Sequence, residues 1–272
     1  MPIKKIILVF SLLTFISSLS AHEFWLNPDK FIYKKGEKIN IRFFVGENFE
    51  GENWKGNKEK VQSLKLYFGD VSDDLSEYIG KEAGDSLELT MLDEGTNLVT
   101  FNSSNSYIEL DGIKFNEYLK EDGLTDVIEY RQQKKETDSA GREYYQRCSK
   151  TLIQVGKLKD KTFSLATDLP LDIIPLLNPY SLKNIDSLRM KILFEGIPLV
   201  NALVKTWHRL NNKTTKAEFI SDDNGEIKFP VSVSGKWMVN VVKMVRREKD
   251  PKSIAIAAGW QSYWGSLTWG YE

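Results

Sequence analysis

The chain has 272 residues, of which 41% are hydrophobic and 12% aromatic, and its formal net charge at pH 7 is −1. This hydrophobic content supplies a packed core and excludes an intrinsically disordered chain. A net charge near zero excludes broad electrostatic partners such as nucleic acid or an anionic membrane surface.

The first 21 residues have the features of a secretory signal peptide. Lys4 and Lys5 form a short basic start, an apolar run follows over 6–19, and Ala21 is a small residue at the expected cleavage point. We therefore predict an exported, periplasmic protein whose first residue after cleavage is His22. Beyond the signal peptide no apolar run is long enough to span a bilayer, so we expect no membrane span in the mature chain.

Residues 22–167 are predicted to form a β-sandwich that contains a helical excursion. Antiparallel strands separated by glycine turns are expected where apolar and polar residues alternate, at 38–45, 61–68, 86–91 and 96–101. The alternation stops over 111–145, and this stretch suits short helices. A strand is expected again over 145–155.

Three prolines indicate an extended connector over 168–187, because proline lacks a backbone N–H donor and interrupts helices. We place a domain boundary in this connector. Residues 188–272 alternate again around tight turns, which predicts a second, smaller antiparallel sandwich. The expected fold class is all-β, with two β-sandwich domains and a short helical insertion in the first.

Short motifs run through nearly all of the mature chain in the order of one family. They are HEFWL at 22–26, FNEYL at 115–119, GL at 123–124, SKTLIQVG at 149–156, LPLDIIP at 169–175, NPY at 178–180, FEGIPLVNALV at 194–204, DNG at 223–225, GKW at 235–237 and YWGSLT at 263–268. In these motifs the chain resembles the bacterial exported proteins grouped as domain of unknown function 4198, which are related to periplasmic accessories of nickel and cobalt uptake.

The resemblance implies immunoglobulin-like or transthyretin-like sandwiches, an exported location and a role in metal handling. One position departs from the pattern. Where the resemblance leads us to expect a His-Met pair after the Gly-x-Trp strand, this chain has Lys243 followed by Met244. A lysine ammonium is not a ready metal ligand, so the substitution puts a family-style metal site in doubt.

His22 and His208 are the two histidines of the chain and its candidate metal ligands. As an N-terminal residue, His22 would offer its imidazole and an α-amine that titrates near pH ~8. Together with the imidazole of His208, these nitrogens would suit Cu(II) or Ni(II), with cobalt as a further candidate. We therefore expect a periplasmic binding protein for a transition metal that works with a metal-uptake or envelope protein.

Less specific interpretations of both histidines stay open. Cleavage after Ser20 would leave Ala21 ahead of His22 and remove the amine–imidazole chelate, and the ring could simply pack against its aromatic neighbours. His208 lies on a strand whose inward face would also carry Ala202, Val204, Thr206 and Leu210. An inward histidine of this kind is commonly a hydrogen-bonded core residue.

The alternative function is a metal-free module that docks an envelope partner or a glycan through a sandwich face or the aromatic tail at 260–271. The sequence shows no phosphate-binding glycine loop and no Ser-His-Asp motif, so we expect no enzyme. A copper oxidase of polysaccharides, which also uses an N-terminal histidine, ranks last. Its second histidine beside a flat substrate face is not indicated here.

Overall fold

The structure is a computed structural model that describes residues 22–80, 82, 84, 86–183, 185–247 and 258–272. The signal peptide predicted over 1–21 lies outside the described residues. Within these residues, two α-helices, α1 (Gly112–Glu121) and α2 (Thr125–Gln133), interrupt a long succession of strands.

In chain order the strands are β1 (Glu23–Pro28), β2 (Ile32–Tyr33), β3 (Lys38–Glu47), β4 (Glu50–Asn53), β5 (Val61–Phe68), β6 (Val71–Asp74), β7 (Leu87–Thr90), β8 (Gly95–Ser103), β9 (Ser106–Leu110), β10 (Gly141–Val155), β11 (Leu171–Pro175), β12 (Ile185–Phe194), β13 (Ile197–Pro198), β14 (Leu203–Leu210), β15 (Lys213–Ile220), β16 (Glu226–Ser232), β17 (Lys236–Arg246) and β18 (Trp260–Gly270).

The described strands form one large sheet and two small ones. The large sheet has the order β15-β14-β17-β18-β10-β8-β5-β6, with β2 and β9 also paired to β10. Its pairs are antiparallel apart from β10 with β18 and β10 with β2. One small sheet has the order β1-β3-β4 with β7 on β3, and the other has the order β11-β12-β13 with β16 on β12.

Both faces of the large sheet are buried. Successive residues of a strand point to opposite faces, so Leu98 and Leu152 pack on one face with the β11–β12 sheet. Their neighbours Val99 and Ile153 pack on the other face with the β1–β3 sheet. One β-sandwich therefore forms on each side of a shared sheet, which confirms the all-β sandwich class predicted from the sequence.

The helices lie where the alternation stops, within the predicted stretch 111–145. Asp111 caps the start of α1, because its side chain accepts a hydrogen bond from the backbone N–H of Lys114 at 2.9 Å. The helix is followed by Gly123, which has a φ of +66° and so adopts the left-handed conformation that commonly ends a helix. The buried side chains Phe115 and Leu119 pack α1 onto the large sheet.

The segment 168–187 contains a strand. Leu171–Pro175 is buried throughout and pairs antiparallel with β12. Strands from both sides of this segment join the large sheet, and the division into domains at 168–187 stays a prediction. In the portions of the chain that are described, no helix is long and apolar enough to cross a membrane.

Candidate functional site

His22 lies at the start of β1, at a cleft of about 810 Å³. The side chains that follow it anchor β1 because they are buried on both sides of the strand. Phe24 enters the core between the first small sheet and the large sheet. Trp25 packs on the opposite side against Trp207 of the large sheet. The imidazole of His22 is exposed, so the strand is fixed while the candidate ligand faces solvent.

The β3–β4 hairpin forms the side of the cleft that carries Glu47, which we call the acidic side. β1 pairs antiparallel with β3, and Glu23 lies opposite Gly46. The same register carries His22 opposite Glu47, and both residues line the cleft. A histidine and a glutamate are therefore placed opposite each other at this cleft, and imidazole and carboxylate are both common metal ligands.

The tip of this hairpin is held against the large sheet. Asn48 and Phe49 turn the chain with φ of +57° and +60°, as in the two-residue turns that match strand twist. Phe49 is buried, and its ring meets Trp25 edge-on with centroids 5.9 Å apart. The carbonyl oxygen of Asn48 accepts a hydrogen bond from Thr214 Oγ1 at 2.8 Å. The acidic side is therefore a fixed part of the fold.

Arg147 places a half-buried guanidinium in the wall of the same cleft. Its Cζ lies 5.2 Å from the ring centroid of Phe24 and 5.2 Å from that of Tyr145. Burial lowers the pKa of this guanidinium. Among the residues that the structure describes, none forms an ion pair with Arg147 or accepts a hydrogen bond from its side chain. The cleft therefore contains an arginine whose side-chain N–H donors have no hydrogen-bond partner among the described residues.

His208 lies on the face of the large sheet that packs against the β11–β12 sheet, opposite to the face that packs against the β1–β3 sheet. Its ring stacks on Trp237 with centroids 4.2 Å apart and an interplanar angle of 12°. Nε2 is 2.8 Å from the carbonyl oxygen of Ser234, which can only accept, so Nε2 carries the proton. His208 shares its strand face with Val204, in the core that the β11–β12 sheet covers, whereas His22 precedes a strand on the opposite side. The structure does not bring the two imidazoles together.

β14, the strand of His208, is buried on both faces, although the sequence predicted a single inward face. Val204 and Thr206 are buried as expected, but Lys205 and Trp207 on the alternate face are buried too. β14 lies inside a sheet that is packed on both faces, so alternation does not separate core from solvent there. His208 itself is half-buried.

Across the described ranges, no group of three or more His, Cys, Asp or Glu side chains is arranged to hold a metal ion. Lys243, which replaces the histidine that the family resemblance led us to expect, places its Nζ 2.7 Å from Asp126 Oδ2. Its ammonium thus ties β17 to α2.

A cluster of buried charges lies directly behind β1. Lys205 Nζ is 2.7 Å from Asp122 Oδ1, and both side chains are at most 5% exposed. Glu23 is 5% exposed and faces this pair. Its Oε2 is buried without a hydrogen-bond partner among the described groups. Burial raises the pKa of Glu23 to about 7, although Lys205 opposes that shift.

Glu23 is expected to make the stability of the protein depend on pH. Its pKa is raised from an ordinary 4.5, so its contribution to the free energy of unfolding is complete below pH 4.5 and is lost as the pH rises through 7. Glu23→Gln should therefore match the wild type at pH 4 and be more stable at pH 8, by no more than about 3 kcal/mol. Urea denaturation at the two pH values measures the difference.

Glu88→Gln is the matched control, because Glu88 is an exposed carboxylate on β7, a strand of the same small sheet. It is expected to change stability by less than about 0.5 kcal/mol at either pH. An equal effect of Glu23→Gln at pH 4 and pH 8 would contradict the assignment of a buried carboxylate with a raised pKa.

A second cleft, of about 540 Å³, lies on the other face of the large sheet. Amide side chains line it, including Gln62, Asn105 and Gln146, together with the ring of Tyr263. Gln146 Nε2 donates to Gln62 Oε1 at 2.6 Å. The amides are thus linked to one another beside an aromatic ring.

The aromatic tail serves mainly as core. Trp260, Trp264 and Trp269 are at most 8% exposed. Trp264 stacks on Tyr118 of α1 with centroids 5.7 Å apart. These tryptophans therefore offer no open platform, and Tyr263 is the member of the tail that reaches a cleft.

A family model described as domain of unknown function (DUF4198) matches residues 19–244. No curated protein gives a significant match. Solved structures with some likeness include the D0-D1 domain of intimin, at 14% sequence identity and a TM-score of 0.22, covering 91% of this chain and 97% of that chain. Bovine butyrophilin is 10% identical with a TM-score of 0.22, covering 81% of this chain and 92% of that chain. Likeness at these scores carries no argument about function.

Proposed function

The chain belongs to the family of domain of unknown function 4198, and we propose that it binds a transition-metal ion, Ni, Co or Cu, through His22. The observation that supports this proposal is the position of His22. Its exposed ring lies at a large cleft, opposite the carboxylate of Glu47, on a strand that Trp25 fixes to the large sheet.

The donor set depends on export. If the signal peptide is cleaved after Ala21, the α-amine and the imidazole of His22 form a chelate, and Glu47 adds a carboxylate oxygen. Nitrogen-rich sets of this kind suit Cu(II) and Ni(II). His208 has no part in this site, because its ring faces the opposite core of the large sheet.

The open cleft suits a metal carrier. A ligand such as His22 that is exposed at an open cleft can receive and release its metal, as uptake or delivery with an envelope partner in the periplasm would require. Turnover of ascorbate and oxygen by the copper-loaded protein would instead indicate the oxidase that ranked last.

The expected result is that protein beginning at His22 binds Cu(II) or Ni(II) with a dissociation constant of micromolar or below. His22→Ala is expected to weaken binding at least about tenfold, because both the ring and its chelate with the amine are lost. Isothermal titration calorimetry measures both constants, and mass spectrometry of the exported protein identifies its first residue.

Two further proteins sharpen this test. A version with Gly-Ser-Gly-Ser ahead of His22 keeps the imidazole and moves the amine away, so its affinity is expected to fall as well. His208→Ala is the matched control and should bind as the wild type does. Unchanged affinity in both His22→Ala and the extended protein would overturn the proposal.

A metal-free module that binds a glycan or an envelope partner is the second candidate. The cleft at Tyr263 favours it, because planar amides such as Gln62 and Gln146 beside an aromatic ring suit sugar hydroxyls and the apolar face of a sugar. Absence of metal binding at micromolar concentrations would favour this candidate over the metal carrier.

A further inference from the structure

We propose that the cleft at His22 takes its metal as a complex with a small amino-carboxylate, and that Arg147 binds the carboxylate of that ligand. This inference rests on the proposed metal-binding function and names the form of its cargo. The observation behind it is the pairing of an exposed imidazole with a partnerless guanidinium in one cleft.

The surroundings of Arg147 favour an anion from outside the chain. Two buried cations carry their own carboxylates, since Lys150 Nζ lies 2.6 Å from Asp172 Oδ1 and Lys205 Nζ lies 2.7 Å from Asp122 Oδ1. Among the described residues, the contacts of the half-buried Arg147 guanidinium are the faces of Phe24 and Tyr145. Partial burial removes some of the water around this charge, and a bound anion would offset that loss of solvation.

The shape of the guanidinium selects a carboxylate. A guanidinium donates from a planar fork that matches the two oxygens of a carboxylate. The rings on Arg147 restrict the plane in which that fork can lie, which orders it before the ligand arrives. Phosphate offers similar oxygens, but its second negative charge would face the carboxylate of Glu47 in the same cleft.

The size of the cleft and its donor set both call for more than a bare ion. A volume of about 810 Å³ lies in the range of small-molecule sites. His22 and Glu47 supply too few donors to fill the coordination sphere of Ni(II) on their own. A chelating amino-carboxylate would complete that sphere, fill the cleft and present an oxygen to Arg147.

Two nickel complexes test the inference. Ni(II)–iminodiacetate carries carboxylates, and Ni(II)–diethylenetriamine is a tridentate complex of similar size without them. With protein that begins at His22, Arg147→Gln is expected to weaken binding of the iminodiacetate complex about tenfold. Binding of the diethylenetriamine complex and of aqueous Ni(II) should not weaken, because Arg147→Gln only removes a positive charge that repels these two dications.

Arg147→Lys keeps the charge without the fork, and it should weaken binding of the iminodiacetate complex by a smaller factor. Arg142→Gln is the matched control, because Arg142 is an exposed arginine of the same strand that pairs with Glu109 at 3.0 Å. It is expected to bind both complexes as the wild type does. Thermal unfolding of each variant verifies that the fold is intact, and Arg147→Lys carries the test if Arg147→Gln does not fold.

The outcomes separate this inference from the function on which it rests. Wild-type protein that binds aqueous Ni(II), with no selective loss of the iminodiacetate complex in the Arg147 variants, would overturn the carboxylate assignment alone. Wild-type protein that binds none of the three nickel species would overturn the metal-binding function and this inference with it.

Discussion

Replacing Lys205 by Met is expected to lower the free energy of unfolding by about 3–5 kcal/mol. The substitution leaves the carboxylate of Asp122 buried without its cation, and this carboxylate is 4% exposed in the folded protein. Asp122 also follows the last residue of α1, so the lost ion pair loosens the helical insertion from β14. Urea denaturation at pH 7, followed by circular dichroism, measures the change.

The loss should shrink at low pH. Burial raises the pKa of Asp122 to about 6 even with Lys205 present, and removal of the ammonium would raise this pKa further. The unpaired carboxylate of Asp122 therefore takes up a proton as the pH falls, and its burial becomes less costly. A destabilisation of equal size at pH 4 and pH 7 would contradict this mechanism.

Two variants test whether the loss of stability comes from breaking the Lys205–Asp122 ion pair. Lys205→Met combined with Asp122→Leu removes both charges of the pair, and we expect it to recover most of the lost stability because neither charge of the pair is left buried without the other. Lys216→Met is the surface control. Lys216 pairs with Glu218 at 3.0 Å on exposed β15, and exposed pairs contribute about 1 kcal/mol or less.

Replacing Trp25 by Ala is expected to cost about 3–5 kcal/mol of stability, because it leaves a large cavity between the first small sheet and the large sheet. Trp25 is fully buried, with its ring centroid 5.6 Å from Phe44 and 5.9 Å from Phe49. Its cluster includes Trp207 and Met238 of the large sheet. Chemical denaturation measures the loss of stability.

Trp25→Ala should also weaken metal binding under conditions where the variant stays folded, because Trp25 clamps the strand that carries His22. Trp25→Phe is the matched control. The indole N–H of Trp25 has no hydrogen-bond partner in the described parts of the chain, so phenylalanine sacrifices volume but no hydrogen bond. We expect it to cost less than half as much as alanine. Equal losses in the two variants would contradict a packing role.

Much of the fold could be predicted because strand alternation is a local property. The strand expected at 38–45 lies at Lys38–Glu47, and the strand expected at 61–68 lies at Val61–Phe68. Both helices fall in 111–145, where the alternation ends. In these segments each residue's place follows from its immediate neighbours in the chain.

The faces of β14 show where this reasoning fails. Alternation correctly grouped Val204, Thr206 and His208 on one side of the strand, but it could not show that a second layer would cover Lys205 and Trp207. Whether a strand face meets water or another sheet depends on segments far away in the sequence. The expected partnership of His22 with His208 failed to form for the same reason, since the large sheet lies between them.

In the candidate site, likewise, the sequence alone identified one residue, and the tertiary structure was needed to identify another. The order of residues near the N-terminus was enough to single out His22, because the predicted signal-peptide pattern and the histidine that follows it are both visible in the linear sequence. The importance of Arg147 was not visible, since an arginine is distinctive here only if no carboxylate reaches it. Ion pairs join residues far apart in the sequence, such as Asp122 and Lys205, which are 83 positions apart. Which charges find partners, and which face a cleft, is therefore set when the chain folds.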